Sequence, residues 1–173
     1  MGRGCRCRRV VGLAVTILVA PAPGVGEATS QEVSRVRLSR PGEAAAVSAA
    51  LRGAMNRIDR QECGRILADF ADDHGRKLQE NLESLGLSGP EYLAVLLFRD
   101  GDPRHCAHGR RLAFTTPGSR VIFVCSLLAE TQRNDNVLAE AMVIHEALHT
   151  LGLSEDPPSS QEITRRVLAR CGS

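Results

Sequence analysis

The sequence predicts a small single-domain α+β fold, with helices first, about three strands next and two helices last. Residues 29–173 are long enough to form one domain with its own core. Apolar residues recur at helical spacing at both ends of this stretch, whereas β-branched and aromatic residues concentrate between residues 94 and 125. This separation of the two patterns favours an α+β arrangement.

Residues 1–28 are predicted to be a signal peptide. The first nine residues contain four arginines and no acidic residue, and eleven largely apolar residues follow. That run is too short to span a membrane, and small residues after it allow cleavage after Ala22 or Ala28. We therefore expect a secreted or periplasmic protein whose mature domain comprises residues 29–173 and keeps no membrane anchor.

The predicted mature chain is nearly neutral. The whole sequence has a formal net charge of +2, but residues 1–28 include four arginines and one glutamate, so 18 basic and 19 acidic residues remain. A charge near −1 gives no reason to expect nucleic acid or an anionic membrane as a partner.

Four cysteines remain in the mature chain, an even number that favours two disulfides in an oxidising compartment. Four cysteines allow three pairings. Cys106 and Cys125 bracket a predicted hairpin, so we expect these two to pair. Cys63 would then pair with Cys171 near the C-terminus.

The first half of the domain is predicted to be helical after a polar, irregular segment at residues 29–40. Residues 41–60 are alanine-rich and carry larger apolar side chains close to the helical period. Residues 63–70 continue or restart this helix. Residues 78–85 have leucine at every third or fourth position, which predicts another helix, and Gly86 ends it.

Strands are predicted for the middle of the domain. Residues 88–91 resemble the start of a helix, but we expect only a short turn there. Residues 94–100 form a continuous apolar run typical of a buried strand. Residues 111–116 and 120–125 are rich in β-branched and aromatic residues, and the Pro-Gly pair between them predicts a hairpin with a type II turn.

Two helices are predicted to follow. From residue 137 onward, apolar residues recur at i, i+4, i+7 and i+11, and Asn134 or Asp135 can cap this helix. Gly152 can end it, because glycine accepts the positive φ that turns the chain back. A last short helix begins after Ser159.

The first of these two helices carries the chemistry. His145 and His149 are four residues apart, so both imidazoles face the same side of a helix and can bind one zinc ion. Glu146 lies beside this pair, where a carboxylate can act as general base toward a metal-activated water. The sequence therefore predicts a zinc site with a catalytic carboxylate.

The eleven residues HEALHTLGLSE, from His145 to Glu155, resemble the zincin metallopeptidases. Gly152 makes them similar to the metzincin branch, in which the pattern HExxHxxG is followed by a third ligand. The resemblance implies that His145 and His149 bind zinc, that Glu146 is the catalytic base, and that Glu155 occupies the third-ligand position. Glutamate replaces the usual histidine or aspartate there, and no methionine follows the motif to form a Met-turn.

Three carboxylates compete for the third-ligand position. Glu155 lies three residues past the turn at Gly152, close enough for the chain to return to the level of the metal. Glu162 has a local alternative, because Ser159 and Glu162 form the pattern of a capping box. Asp156 precedes a proline and is expected to point away from the side of Glu155. We therefore predict Glu155, with Glu162 and Asp156 as alternatives.

Other candidate residues have simpler explanations. His105 and His108 flank Cys106 and are a further candidate zinc set, but a cysteine in an exported protein is more often in a disulfide. Arg111 lies at the start of a strand near the presumed cleft and can meet a substrate carboxylate. The only tyrosine, Tyr92, is far upstream, and no histidine follows His149, so no residue that stabilises an oxyanion is identified.

These features predict an exported zinc-dependent peptidase that acts on a peptide or protein substrate. The mechanism implied by the resemblance is hydrolysis by a zinc-activated water, with Glu146 as general base. Two alternatives remain: a zinc-binding domain of this type without efficient catalysis, and a zinc hydrolase that acts on a non-peptide bond.

Overall fold

The computed structural model describes Met1 and residues 35–107 and 111–173. Within this part, the chain forms one α+β unit, as the sequence predicts. The predicted signal peptide lies outside the described residues and stays a prediction. The elements in chain order are β1 (Val36–Arg37), α1 (Pro41–Ile58), α2 (Gln61–Gly64), α3 (Ile66–Asp69), α4 (Leu78–Ser84), α5 (Gly89–Val95), β2 (Leu97–Asp100), α6 (Pro103–Cys106), β3 (Ala113–Phe114), β4 (Val121–Val124), α7 (Ser126–Asn134), α8 (Asn136–Thr150) and α9 (Ser160–Cys171).

The strands form a mixed sheet in the order β1-β2-β4-β3. The pairs β1-β2 and β2-β4 are parallel, whereas β3 and β4 form the predicted antiparallel hairpin. The Ser119 amide donates to the Thr116 carbonyl at 2.9 Å, and Gly118 has φ +76°, the conformation that a type II turn requires at its third residue. This order leaves β3 at an edge of the sheet.

Two local predictions are wrong in part. Of residues 29–40, predicted to be irregular, residues 29–34 lie outside the described part, whereas Val36–Arg37 form β1 because they pair with β2, an interaction that leaves no local pattern. The strand predicted at residues 94–100 begins only at Leu97, because α5 continues to Val95 from a capping box in which Ser88 and Glu91 bond each other's backbone amides. Around Cys106 the chain forms one helical turn, α6, in which Asp102 accepts from the Arg104 amide at 2.7 Å.

Helix α7 also lacks a sequence prediction. Its apolar residues stand at consecutive positions, 127–129, so no helical repeat of apolar residues marks it in the sequence. Helix α7 packs against α1 and α8, and this tertiary packing favours the helix.

Helix α8 lies at the centre of the core, where it packs against α1, α7, α9 and β3. Every residue from Ala139 to Thr150 is buried except Met142. The Asp135 carboxylate caps its start by accepting from the Leu138 amide at 3.0 Å, and Gly152 ends it with φ +110°. The helix that carries the histidine motif is therefore held on several sides.

Both predicted disulfides are confirmed. Cys63–Cys171 joins α2 to the end of α9, and Cys106–Cys125 joins α6 to the residue after β4. Two disulfides in a chain of this size are typical of an oxidising, extracytoplasmic environment. Within the described residues, no helix has both the length and the apolar character needed to cross a membrane.

Candidate metal centre

The C-terminal half of α8 brings two imidazoles together. His145 and His149 are 1% and 5% exposed, and their Nε2 atoms are 3.0 Å apart. Two nitrogens bound to one tetrahedral zinc ion at about 2.0–2.1 Å would be about 3.3 Å apart. The observed separation therefore suits two ligands of one ion, as the four-residue spacing predicts.

The opposite nitrogen of each ring is already engaged. His149 Nδ1 lies 2.7 Å from the carbonyl oxygen of Leu153, which only accepts, so Nδ1 carries the proton and Nε2 keeps a lone pair. His145 Nδ1 lies 2.9 Å from Thr164 Oγ1, whose hydroxyl is also 3.8 Å from the Met142 sulfur. If that hydroxyl donates to sulfur and accepts from His145, the second Nε2 also keeps a lone pair.

This arrangement fits a bound cation. Without a cation, the 3.0 Å contact is a hydrogen bond in which one Nε2 donates to the other; when both Nε2 atoms carry lone pairs, a positive charge between them removes their repulsion. Burial and, to a smaller extent, the nearby His149 together lower the pKa of His145 to about 3, so His145 is neutral near pH 7. Neutral imidazole is the form that binds metals, and metal-binding histidines commonly donate their other N–H to a fixed acceptor.

Glu155 completes a group of three ligands. Its Oε1 lies 3.3 Å from His149 Nε2 and 3.8 Å from His145 Nε2, and the three ligand atoms all lie within 4.8 Å of one another. The positive φ of Gly152 turns the chain back, so a residue just outside α8 returns to the helix. The His145–His149–Glu155 cluster can therefore bind a metal ion.

The two alternative carboxylates lie outside this cluster. The Glu162 carboxylate accepts from Arg165 and Arg166, each at 2.7 Å. The predicted capping box is only half formed, since Ser159 accepts from the Glu162 amide but the Glu162 side chain turns to the arginines instead. Asp156 is exposed and does not belong to the cluster.

Glu146 is buried, and one of its two carboxylate oxygens has no partner in the described part of the chain. It is 4% exposed, and its Oε2 has no hydrogen-bond partner among the described residues. Burial, together with the charge of Glu155 and against the opposing effect of Arg111, raises its pKa to about 8. A buried carboxylate with an unpartnered oxygen destabilises the fold, which makes Glu146 a candidate functional residue.

A cleft of about 770 Å³ opens over these residues. Its floor includes Glu146, His149 and Glu155, and one wall is formed by the edge strand β3 and the residues next to it. The Gly118 amide in the hairpin turn donates to the His149 carbonyl at 3.0 Å, which fixes the hairpin against the end of α8. The described residues that line the cleft are Arg111, Leu112, Ala113, Phe114, Thr115, Pro117, Met142, Glu146, His149, Ser154, Glu155 and Ser160.

The other candidate residues lie elsewhere. Cys106 is in a disulfide and is not available as a metal ligand beside His105, whereas His108 lies outside the described residues. The Tyr92 hydroxyl donates to Thr150 at 2.8 Å from a buried position and does not line the cleft. Tyr92 therefore does not face the metal cluster.

Two contacts of the site escaped the sequence reasoning. The sequence could have indicated Thr164. It is a polar residue next to Ile163 and one turn before Val167, two apolar residues of α9 that face the core. The Leu153 carbonyl had none, since any residue would provide that backbone atom.

Comparisons with known protein families, curated proteins and solved structures found no match to this chain.

Proposed function

We propose that the chain is an exported zinc-dependent peptidase that resembles the zincins. The observation that carries this proposal is the buried Glu146, whose Oε2 has no partner among the residues that the structure describes, next in sequence to two imidazoles whose Nε2 atoms converge. A purely structural zinc site is normally closed by four protein ligands, whereas a catalytic site has three and leaves one position open. Among the described residues the cluster has three members, and it borders a cleft.

His145, His149 and Glu155 would hold the zinc ion, with the imidazoles oriented by Thr164 and Leu153. Zinc, when bound, supplies a Lewis acid that activates water and polarises the carbonyl of the scissile bond. The choice of zinc over other divalent ions rests on two imidazoles and one carboxylate, a ligand set found in zinc hydrolases.

Glu146 would carry the proton. Its Oε2 accepts a proton from the attacking water as the water oxygen bonds to the carbonyl carbon, and it then gives that proton to the leaving amine as the C–N bond breaks. A carboxylate can accept the proton in the first transfer, and the resulting carboxylic acid can donate it in the second. In a Glu146→Gln variant, the amide side chain has nearly the same shape as the carboxylate but cannot accept this proton.

The edge strand β3 would position the substrate. Its hydrogen-bonding groups on the side away from β4 are not engaged in the sheet, so an extended peptide can pair with them beside the metal cluster. This mode of binding holds the peptide backbone and leaves sequence preference to the side chains around the cleft.

Hydrolysis by a Glu146→Gln variant tests the proposal. We expect the purified wild type to contain one zinc per chain and to cleave members of a peptide library in a chelator-sensitive manner. Glu146→Gln should keep its zinc and lose hydrolysis by about 10²-fold or more, since general acid–base catalysis contributes about 10²–10⁴-fold. A wild type that binds zinc but cleaves no peptide would favour the binding-domain alternative, and a variant as active as wild type would reject Glu146 as the base.

A further inference from the structure

Arg111 is the only cationic side chain among the described residues that line the cleft. It is exposed, and its guanidinium carbon lies 5.7 Å from the centre of the Phe114 ring, a cation–π contact that orients it along β3. No carboxylate of the described residues lies within ion-pair distance of it. The cleft therefore holds a positioned guanidinium with no counter-ion in the described part of the chain.

The charge of Arg111 lies close to the start of the edge strand β3. Arg111 precedes the first residue of β3 by two positions, at most about 7 Å of extended chain. It lines the same cleft as Glu146 and Glu155. A peptide paired with β3 would thus pass the guanidinium within a few residues of its scissile bond.

The chemistry of the guanidinium selects the ligand. A planar guanidinium offers paired N–H donors that match the two oxygens of a carboxylate, and such charge-assisted pairs are stronger than neutral hydrogen bonds. An uncharged peptide side chain would use little of this capacity. The two carboxylates of the cleft, Glu146 and Glu155, stand instead at the metal cluster.

We propose that Arg111 and Phe114 form a carboxylate-binding subsite, through which the peptidase selects peptides that carry an acidic group close to the scissile bond. This inference rests on the proposed function, since it names the substrate class of the same cleft. The carboxylate can come from a glutamate side chain, as for an endopeptidase, or from the free C-terminus, as for a carboxypeptidase. Both sources offer the same ligand chemistry.

Peptide binding to the full chain, purified with zinc and carrying Glu146→Gln to prevent turnover, tests the subsite. Two matched pairs of synthetic peptides serve as probes: internal glutamate against glutamine, and C-terminal carboxylate against amide. Calorimetry should give an affinity about 10-fold higher for the acidic member of one pair, since charge-assisted pairs are stronger than neutral hydrogen bonds. The pair that shows the difference identifies the source of the carboxylate.

Variants at Arg111 then assign the preference. Arg111→Gln should reduce the ratio of acidic to neutral peptide affinity to about twofold or less. Arg111→Lys should keep part of the preference, and Arg111→Glu should favour the neutral peptide. Arg52→Gln is the matched control, because Arg52 is an exposed arginine on α1 outside the cleft, and it should leave the ratio unchanged. A ratio rather than an affinity is measured because a purely structural role of Arg111 would weaken both peptides alike.

Three results would overturn the subsite: no acidic preference in either pair, equal weakening of both members by Arg111→Gln, or no binding of any peptide. Failure of the proposed function looks different. If the zinc-loaded wild type binds acidic peptides through Arg111 but hydrolyses none, the subsite stands and the peptidase proposal fails. If it hydrolyses acidic and neutral peptides equally well, the peptidase proposal stands and the subsite fails.

Discussion

Helix α8 carries two buried glutamates, and their surroundings differ. Glu140 and Glu146 are 7% and 4% exposed. Glu140 accepts from Arg57 Nε at 2.5 Å and from Asn136 Nδ2 at 3.0 Å, so both of its oxygens are bonded. Glu146 is held nearly as deep, yet its Oε2 has no partner among the described residues.

The comparison separates a structural carboxylate from the one that we propose to be catalytic. Arg57 also donates to the Cys171 carbonyl at 2.5 Å, so the Glu140 network ties α8 to α1 and to the C-terminus. Burial of Glu146 brings no such tie, and its pKa is raised to about 8. A fold keeps a destabilising group of this kind where the chemistry needs it, which is why we assign Glu146 and not Glu140 to catalysis.

Breaking the structural pair should have the largest effect. Glu140→Ala leaves the Arg57 guanidinium buried and uncompensated, and we expect the free energy of unfolding to fall by about 3–5 kcal/mol in urea denaturation. Glu80→Ala, at an exposed position on α4, is the control and should change it by no more than about 0.5 kcal/mol. Equal losses of unfolding free energy in the two variants would show that Glu140 is not a structural carboxylate.

The same network should be sensitive to crowding from α1. A Cβ added at Gly53 would lie 2.2 Å from the Glu140 carboxylate, so Gly53→Ala should cost about 1–3 kcal/mol of unfolding free energy despite the better helix propensity of alanine. Gly42→Ala in the same helix has nothing within 4 Å of its new methyl group and should be neutral or slightly stabilising. A Gly53→Ala protein as stable as wild type would show that Glu140 is not held tightly.

At the other end of α8, loss of an orienting contact should affect the metal more than the fold. Thr164→Val removes the acceptor for His145 Nδ1, and we expect zinc affinity to fall by about 10–100-fold in chelator competition. Thr131→Val is the control, because the Thr131 hydroxyl bonds only the Leu127 carbonyl within α7. Unchanged zinc affinity in Thr164→Val would mean that Thr164 does not orient His145.

The smallest effect should be a gain in stability. In metal-free protein, Glu146 has a folded-state pKa of about 8 against an ordinary 4.5, so the unfolded chain loses this proton first. The free energy of unfolding should therefore fall as pH rises from about 4.5 to 8, and Glu146→Gln should lack this loss and be about 0.5–2 kcal/mol more stable at pH 8. His145 acts oppositely between about pH 3 and 6.5, but does so in both proteins and cancels in their difference. Identical pH profiles would contradict the account of Glu146.

The sequence predicts much of this comparison, but only where the cause is local. The spacing of His145 and His149 fixes their common face, and Gly152 marks the turn that returns Glu155 to them. The Glu140–Arg57 pair joins residues 83 positions apart, and nothing in either segment indicates it. Strand β1 and helix α7 escaped prediction for the same reason, because pairing and packing with distant elements stabilise them.

Zinc binding by matched alanine variants tests the central claim most directly, namely that the C-terminal half of α8 and Glu155 form a metal centre. We expect the full-length wild type to bind one zinc ion per chain. Glu155→Ala should lose affinity about as severely as His149→Ala, whereas Glu162→Ala, which removes only the contacts to Arg165 and Arg166, should bind zinc as wild type does. A wild type that binds no zinc, or a Glu155→Ala protein that binds it tightly while Glu162→Ala does not, would contradict the centre described here.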